Sequence, residues 1–90
     1  MTVTIRVNGD LRKLLDGQSR VEVSGNTTGE CLANLEHSFP DIGKEIRNSK
    51  GEVSDEYLIY VNGKSAYPEE LTTPVRDNDE IEIAYILDGG

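Results

Sequence analysis

The chain has no tryptophan, one phenylalanine, one methionine and one cysteine in 90 residues. A single cysteine, Cys31, excludes an intrachain disulfide framework, so a packed core must hold the fold. Cations are also scarce, with nine Lys and Arg against seventeen Asp and Glu and a formal net charge of −8. Nucleic-acid phosphates and anionic membrane surfaces both require a basic footprint, so neither is an expected partner. An acidic surface is first of all solubilising. Toward another protein it favours a basic docking face, where charge speeds encounter more than it raises affinity. No apolar run approaches the ~20 residues of a membrane-spanning helix. The opening MTVTIRVNGD lacks the basic segment and apolar run of a signal peptide, and a cytoplasmic location is expected. Also missing are a Ser/His/Asp set, a paired-carboxylate site and any cluster of ligand residues at metal spacing. The reading is a protein that is not an enzyme and holds no metal. Cys31 reads as a small buried hydrophobe. His37 reads as a surface residue near the negative end of a helix.

Apolar residues make up only 36% of the chain, but they recur periodically. That pattern predicts one folded domain, which at this length buries roughly 60 to 65% of the surface its unfolded chain exposes. TVTIRVNGD alternates strictly, with Val3, Ile5 and Val7 on one side, and runs into an Asn-Gly turn signal. DLRKLLDGQ reads as a short loop with one helical turn, Leu11, Leu14 and Leu15 pointing inward. SRVEVSG is a second strand, with Val21 and Val23 inside, paired to the first as a hairpin. Thr27 followed by Glu30 fits a capping box for a helix whose stripe is Cys31, Leu32, Leu35 and Phe39, and Pro40 stops it. Residues 41–55 read as a mobile polar connection with one turn-like piece around Ile42 and Ile46. EYLIYVNGKSAY gives a strand at Tyr57–Val61, a turn at Asn62-Gly63 and a short return strand near Ser65–Tyr67. After a proline-bearing loop, EIEIAYIL alternates again, with Ile81, Ile83 and Tyr85 on one side. One helix packed on a mixed sheet of about five strands, the last of them central, is an α+β roll.

That last strand runs into Asp88-Gly89-Gly90. Glycine loses more backbone entropy on ordering than any other residue and has no side chain to bury, so a glycine pair adds little to a fold. It suits a backbone that must thread a narrow passage, or an end group that must be reached.

The order strand-strand-helix-strand-strand-strand, with IYVNGK in its middle and VRDNDEIEIAYILDGG at its end, resembles the ubiquitin-like β-grasp sulfur carriers. These include the small subunit of molybdopterin synthase, the thiazole-forming carrier and their cysteine-synthesis relative. The resemblance covers essentially the whole chain and is most specific in Asp77–Gly90. It implies a β-grasp domain at residues 1–87 with a flexible tail at 88–90. It further implies that an ATP-dependent, E1-like enzyme adenylates the Gly90 carboxylate. Sulfur then replaces AMP, and the resulting thiocarboxylate donates it to a biosynthetic enzyme making molybdopterin, thiamin or cysteine. No cofactor is bound permanently: the activating partner uses the ATP, and the sulfur is covalent on Gly90. Gly89 gives access, and Leu87 with Asp88 forms the stem that partners grip. The polar stretch at 47–55 leans toward the molybdopterin-type or cysteine-type branches, while Asp88 departs from their usual small apolar residue. By alternation, Leu58, Tyr60, Ala84 and Ile86 form an outward apolar patch near the tail, where the activating enzyme is expected to dock. Two other readings stand beside the carrier. One is a protein modifier joined through Gly90 to lysines of its targets, a role raised by Lys13, Lys44, Lys50 and Lys64. The other is a β-grasp binding module with an inert tail.

Overall fold

Strict alternation at Thr2–Val7 becomes strand β1, which buries Val3, Ile5 and Val7 completely and leaves Thr2, Thr4 and Arg6 on the opposite face. The computed structural model describes residues 2–86. The expectations placed on Leu87, Asp88, Gly89 and Gly90 lie outside the described residues. After β1 the chain forms a 3-10 helix at Gly9–Leu15, a fuller element than the single turn expected. It buries Leu11 and Leu15 and lays Leu14 against the same core. Strand β2, Arg20–Ser24, then pairs antiparallel with β1 in the predicted hairpin, with Val21 and Val23 half-buried.

Helix α1 spans Thr28–Ser38 and has the predicted cap: Thr27 Oγ1 accepts from the Glu30 N–H at 3.2 Å. The Glu30 carboxylate reaches back one residue further than in the ideal box, accepting from the Asn26 N–H at 2.8 Å. Cys31, Leu32 and Leu35 are fully buried.

The mobile connection expected at 41–55 is wrong. Pro40 ends α1 and also opens a second helix, α2, at Pro40–Ile46, because proline's fixed φ suits a first helical position. Ile42 and Ile46, four residues apart, share one face and are completely buried. Beyond α2 the backbone is tied down by an Arg47–Val53 bridge and by Asn48 Oδ1, which accepts from the Lys50 and Glu52 N–H groups. Arg47 Nε also meets Glu36 Oε2 at 2.7 Å.

Strand β3, Tyr57–Val61, turns through Asn62 and Gly63, both at positive φ (50° and 85°) as a primed hairpin turn requires. The return strand β4 is Lys64–Ser65, starting one residue and ending two residues earlier than the expected Ser65–Tyr67. Strand β5, Glu80–Tyr85, completes a five-stranded sheet in the order β2-β1-β5-β3-β4, parallel to β1 and antiparallel to β3. The last strand is therefore central, as its apolar content predicted, with Ile81 and Ile83 fully buried. The 66–79 loop directs its backbone bonds to the start of α1, Thr73 and Leu71 oxygens accepting from Thr28 and Gly29 N–H groups at 2.9 Å each. Gly29 is required there, since a Cβ would approach the Leu71 oxygen to 2.4 Å. The architecture is the ubiquitin-like β-grasp roll.

Candidate functional site

The two ends of β5 are built differently. Before the strand, the acidic turn Asp77-Asn78-Asp79-Glu80 is a latch. Asp77 accepts from the Thr2 N–H at 2.8 Å, and Asp79 accepts from the Arg76 N–H at 2.8 Å and from Asn62 Nδ2 at 3.0 Å. Asn62 answers by accepting from the Glu80 N–H at 2.9 Å, so the turn joins β1 to the β3–β4 hairpin. The hydrogen bond from Asn62, then that from Arg76, holds the Asp79 carboxyl below its ordinary pKa. Next along the face opposite the core comes an ionic row. Arg6 meets Glu82 at 2.9 Å and Glu80 at 3.8 Å, Asn8 meets Glu82 at 3.1 Å, and Arg20 approaches Glu80 at 3.9 Å.

Toward the end of β5 the same face becomes apolar. Leu58 stands opposite Ala84 in the β3–β5 register, and Tyr60 stands opposite Glu82. Of the predicted inward set, Tyr57, Ile59, Ile81 and Ile83 are buried while Val61 and Tyr85 are only half-buried, and alternation turns Leu58, Tyr60 and Ala84 outward, each half-buried. Ile86 lies just past the strand and is 45% exposed, and its N–H donates to the Glu56 carbonyl at 2.8 Å, prolonging the ladder by a residue. The structure thus sets Leu58 beside Ala84, with Ile86 exposed just past the strand and Tyr60 at the border of the ionic row.

Tyr85 is half-buried and packs beside Tyr57, their ring centroids 5.3 Å apart and tilted by 44°. The Tyr57 hydroxyl donates to Glu45 Oε2. Burial, reinforced by that carboxylate, pushes the Tyr57 pKa up, so the phenol stays protonated. With Asp10 and Leu11, these residues line a cavity of about 300 Å³ that sequence reasoning missed. A larger cavity, about 520 Å³, lies between the Asn62-Gly63 turn, the 66–74 loop and Asp79, at the other end of β5.

Cys31 is fully buried, and desolvation raises its thiol pKa, which leaves it a packing residue and not a relay thiol. Among the described residues no three His, Cys, Asp or Glu side chains are grouped to hold a metal ion. Nor, among them, is any helix long and apolar enough to cross a membrane.

A mixed five-stranded β-grasp sheet with β5 at its centre defines a ubiquitin-like protein. The sequence matches the ThiS family over residues 5–90, and the chain belongs to that family. It is 30% identical to the sulfur carrier protein CysO of Mycobacterium tuberculosis over the full length of both chains. The crystal structure of the M. tuberculosis protein superposes with a TM-score of 0.84, covering 92% of this chain and 97% of that one at 29% identity. In the Amycolatopsis orientalis BexX/CysO complex, a chain 25% identical superposes with a TM-score of 0.88, covering 98% of this chain and 99% of that one.

Proposed function

We propose that this chain is a sulfur carrier protein working in the cytoplasm with Gly90 as its reactive end. The carrying observation is the family match, which runs through the Gly89-Gly90 pair. A carboxylate is a poor electrophile. An E1-like enzyme corrects this by joining the Gly90 carboxylate to the AMP of ATP, with pyrophosphate leaving. Hydrosulfide attacks the acyl carbon and expels AMP, and the thiocarboxylate that results is a nucleophile tethered to its carrier. No catalytic side chain of the carrier is needed, because the partners perform the chemistry. Two residues without Cβ atoms, Gly89 and Gly90, leave the acyl carbon unobstructed in a narrow nucleotide site. Leu87 and Asp88 form the stem that the partners grip, and Leu58, Tyr60, Ala84 and Ile86 form the face on which the activating enzyme docks. Likeness to carriers named CysO favours the cysteine-type branch, and the existence of a BexX/CysO complex supports a carrier that docks on a biosynthetic protein.

The test is the intact mass of the protein recovered from its native cells, with the C-terminal peptide fragmented. One oxygen replaced by sulfur at Gly90 is the expected result. An unmodified Gly90 accompanied by Gly-Gly remnants on lysines of other proteins would overturn the carrier in favour of the modifier.

A further inference from the structure

We propose that the cavity between the 3-10 helix, α2, β3 and β5 receives an arginine side chain from the enzyme that handles the tail. The proposal rests on the carrier reading and names what that enzyme must present. Aromatic walls come from Tyr57 and Tyr85, tilted against one another with centroids 5.3 Å apart, and Leu11 adds an apolar wall. Carboxylates stand at the rim, Glu45 from α2 and Asp10 from the 3-10 helix.

Their charges are not satisfied internally. Among the described residues no Lys, Arg or His pairs with Glu45. The single ion pair of Asp10, with Lys13 at 3.5 Å, joins two side chains that are 98% and 81% exposed, so screening leaves it weak. The Tyr57 hydroxyl donates to one Glu45 oxygen, which fixes the carboxylate at the rim and leaves its second oxygen available. At about 300 Å³ the cavity is at the small end for ligand sites, fitting a side chain better than a nucleotide. A planar guanidinium can lie against an aromatic ring while its edge donates to carboxylate, which an ammonium point charge does less well. A metal ion would need more donors than two carboxylates.

The position of the cavity selects the partner. Tyr85 precedes Gly90 by five residues, a reach of roughly 17 Å when fully extended, so an enzyme holding Gly90 works within that distance of the cavity. A net charge of −8 already favours a basic docking face, and this cavity gives one of its cations a defined seat.

The experiment has two arms. In the first, the full chain labelled with nitrogen-15 is titrated with ethylguanidinium chloride at constant ionic strength, with ethylurea as the neutral control. Saturable amide shifts centred on Leu11, Glu45, Tyr57 and Tyr85 are expected. They should be absent with ethylurea and at least roughly fivefold weaker in the D10N/E45Q variant. Shifts spread over unrelated carboxylates such as Glu52 and Asp77 would overturn the seat. In the second arm, pyrophosphate exchange by the cognate activating enzyme is followed against carrier concentration. E45Q should raise KM for the carrier roughly fivefold, while E52Q, an equal change of charge elsewhere, leaves it unmoved. An equal rise in both variants would reduce the effect to net charge and overturn the proposal. Absence of exchange with the unaltered chain would overturn the carrier reading instead, and the guanidinium titration would still decide the cavity.

Discussion

The two ends of β5 use carboxylates in opposite ways. At its start, Asp77 and Asp79 accept hydrogen bonds from the chain itself, and Glu80 and Glu82 face Arg6 and Arg20. At its finish, Glu45 has no cationic partner among the described residues, and the neighbouring outer face is Leu58, Ala84 and Ile86. The contrast separates charge that builds the fold from surface left for another molecule. A carboxylate answered by backbone N–H groups has little left to offer a partner. Apolar area left in water, and a carboxylate left without a cation, gain when a partner covers them. Changes at the start of β5 should therefore cost stability, and changes at its finish should cost binding.

The largest effect expected is at the finish. Deleting Gly90 removes the acceptor carboxylate from its place, so adenylation by the activating enzyme should be abolished while the thermal unfolding midpoint stays where it was. An equally active truncation would break the division between folding and working ends. Next in size is Ile86→Ser. It removes exposed apolar surface without adding charge and should weaken docking to the activating enzyme roughly tenfold by titration calorimetry, with the unfolding midpoint unmoved. Tyr60→Asp should also weaken docking. Because Tyr60 stands opposite Glu82, it should in addition cost up to about 1 kcal/mol of stability from like charges across the strands. That mixed outcome would mark where the two surfaces meet.

Much of this division was legible in the chain because period-two alternation and turn chemistry are local. Val3/Ile5/Val7, Ile81/Ile83, the Asn62-Gly63 turn and the Thr27 cap each announce themselves within a few residues. The same alternation turned Leu58, Tyr60 and Ala84 outward correctly. Helix α2 was hidden because seven residues carry only two inward side chains, Ile42 and Ile46, and proline marks a helix start as readily as a stop. The Asp10–Glu45–Tyr57–Tyr85 cavity was hidden for a different reason. Its residues belong to four elements, and only the packing of α2 and the 3-10 helix at the end of the β3–β5 ladder brings them together. The latch was half visible. The acidic turn was read as a family mark, but its bond to Asn62, seventeen residues away, depends on the fold.

The smallest effect tests that latch. Asp79→Asn keeps the shape of the side chain but places an amide where one oxygen accepts from the Arg76 N–H and the other from Asn62 Nδ2. The loss should be about 1 kcal/mol by urea unfolding at neutral pH, with KM for adenylation unchanged, since nothing at the finish of β5 is touched. The sign of its pH dependence follows from the lowered pKa of Asp79. Because the folded value is below the unfolded one, the unaltered chain holds this stabilisation in full above the ordinary aspartate pKa of about 3.9 and loses it as pH falls through the folded value. Glu70 works in the other direction. Burial raises its pKa, so it disfavours the fold as pH rises through that value, equally in both proteins. Subtracting the stability curve of the variant from that of the unaltered chain cancels Glu70 and leaves Asp79 alone. The difference should be flat near neutrality and shrink on acidification below about pH 4. A difference that stays constant through the acid range would mean the latch is held by shape and not by charge, and β5 would then carry its structural carboxylates at Glu80 and Glu82 only.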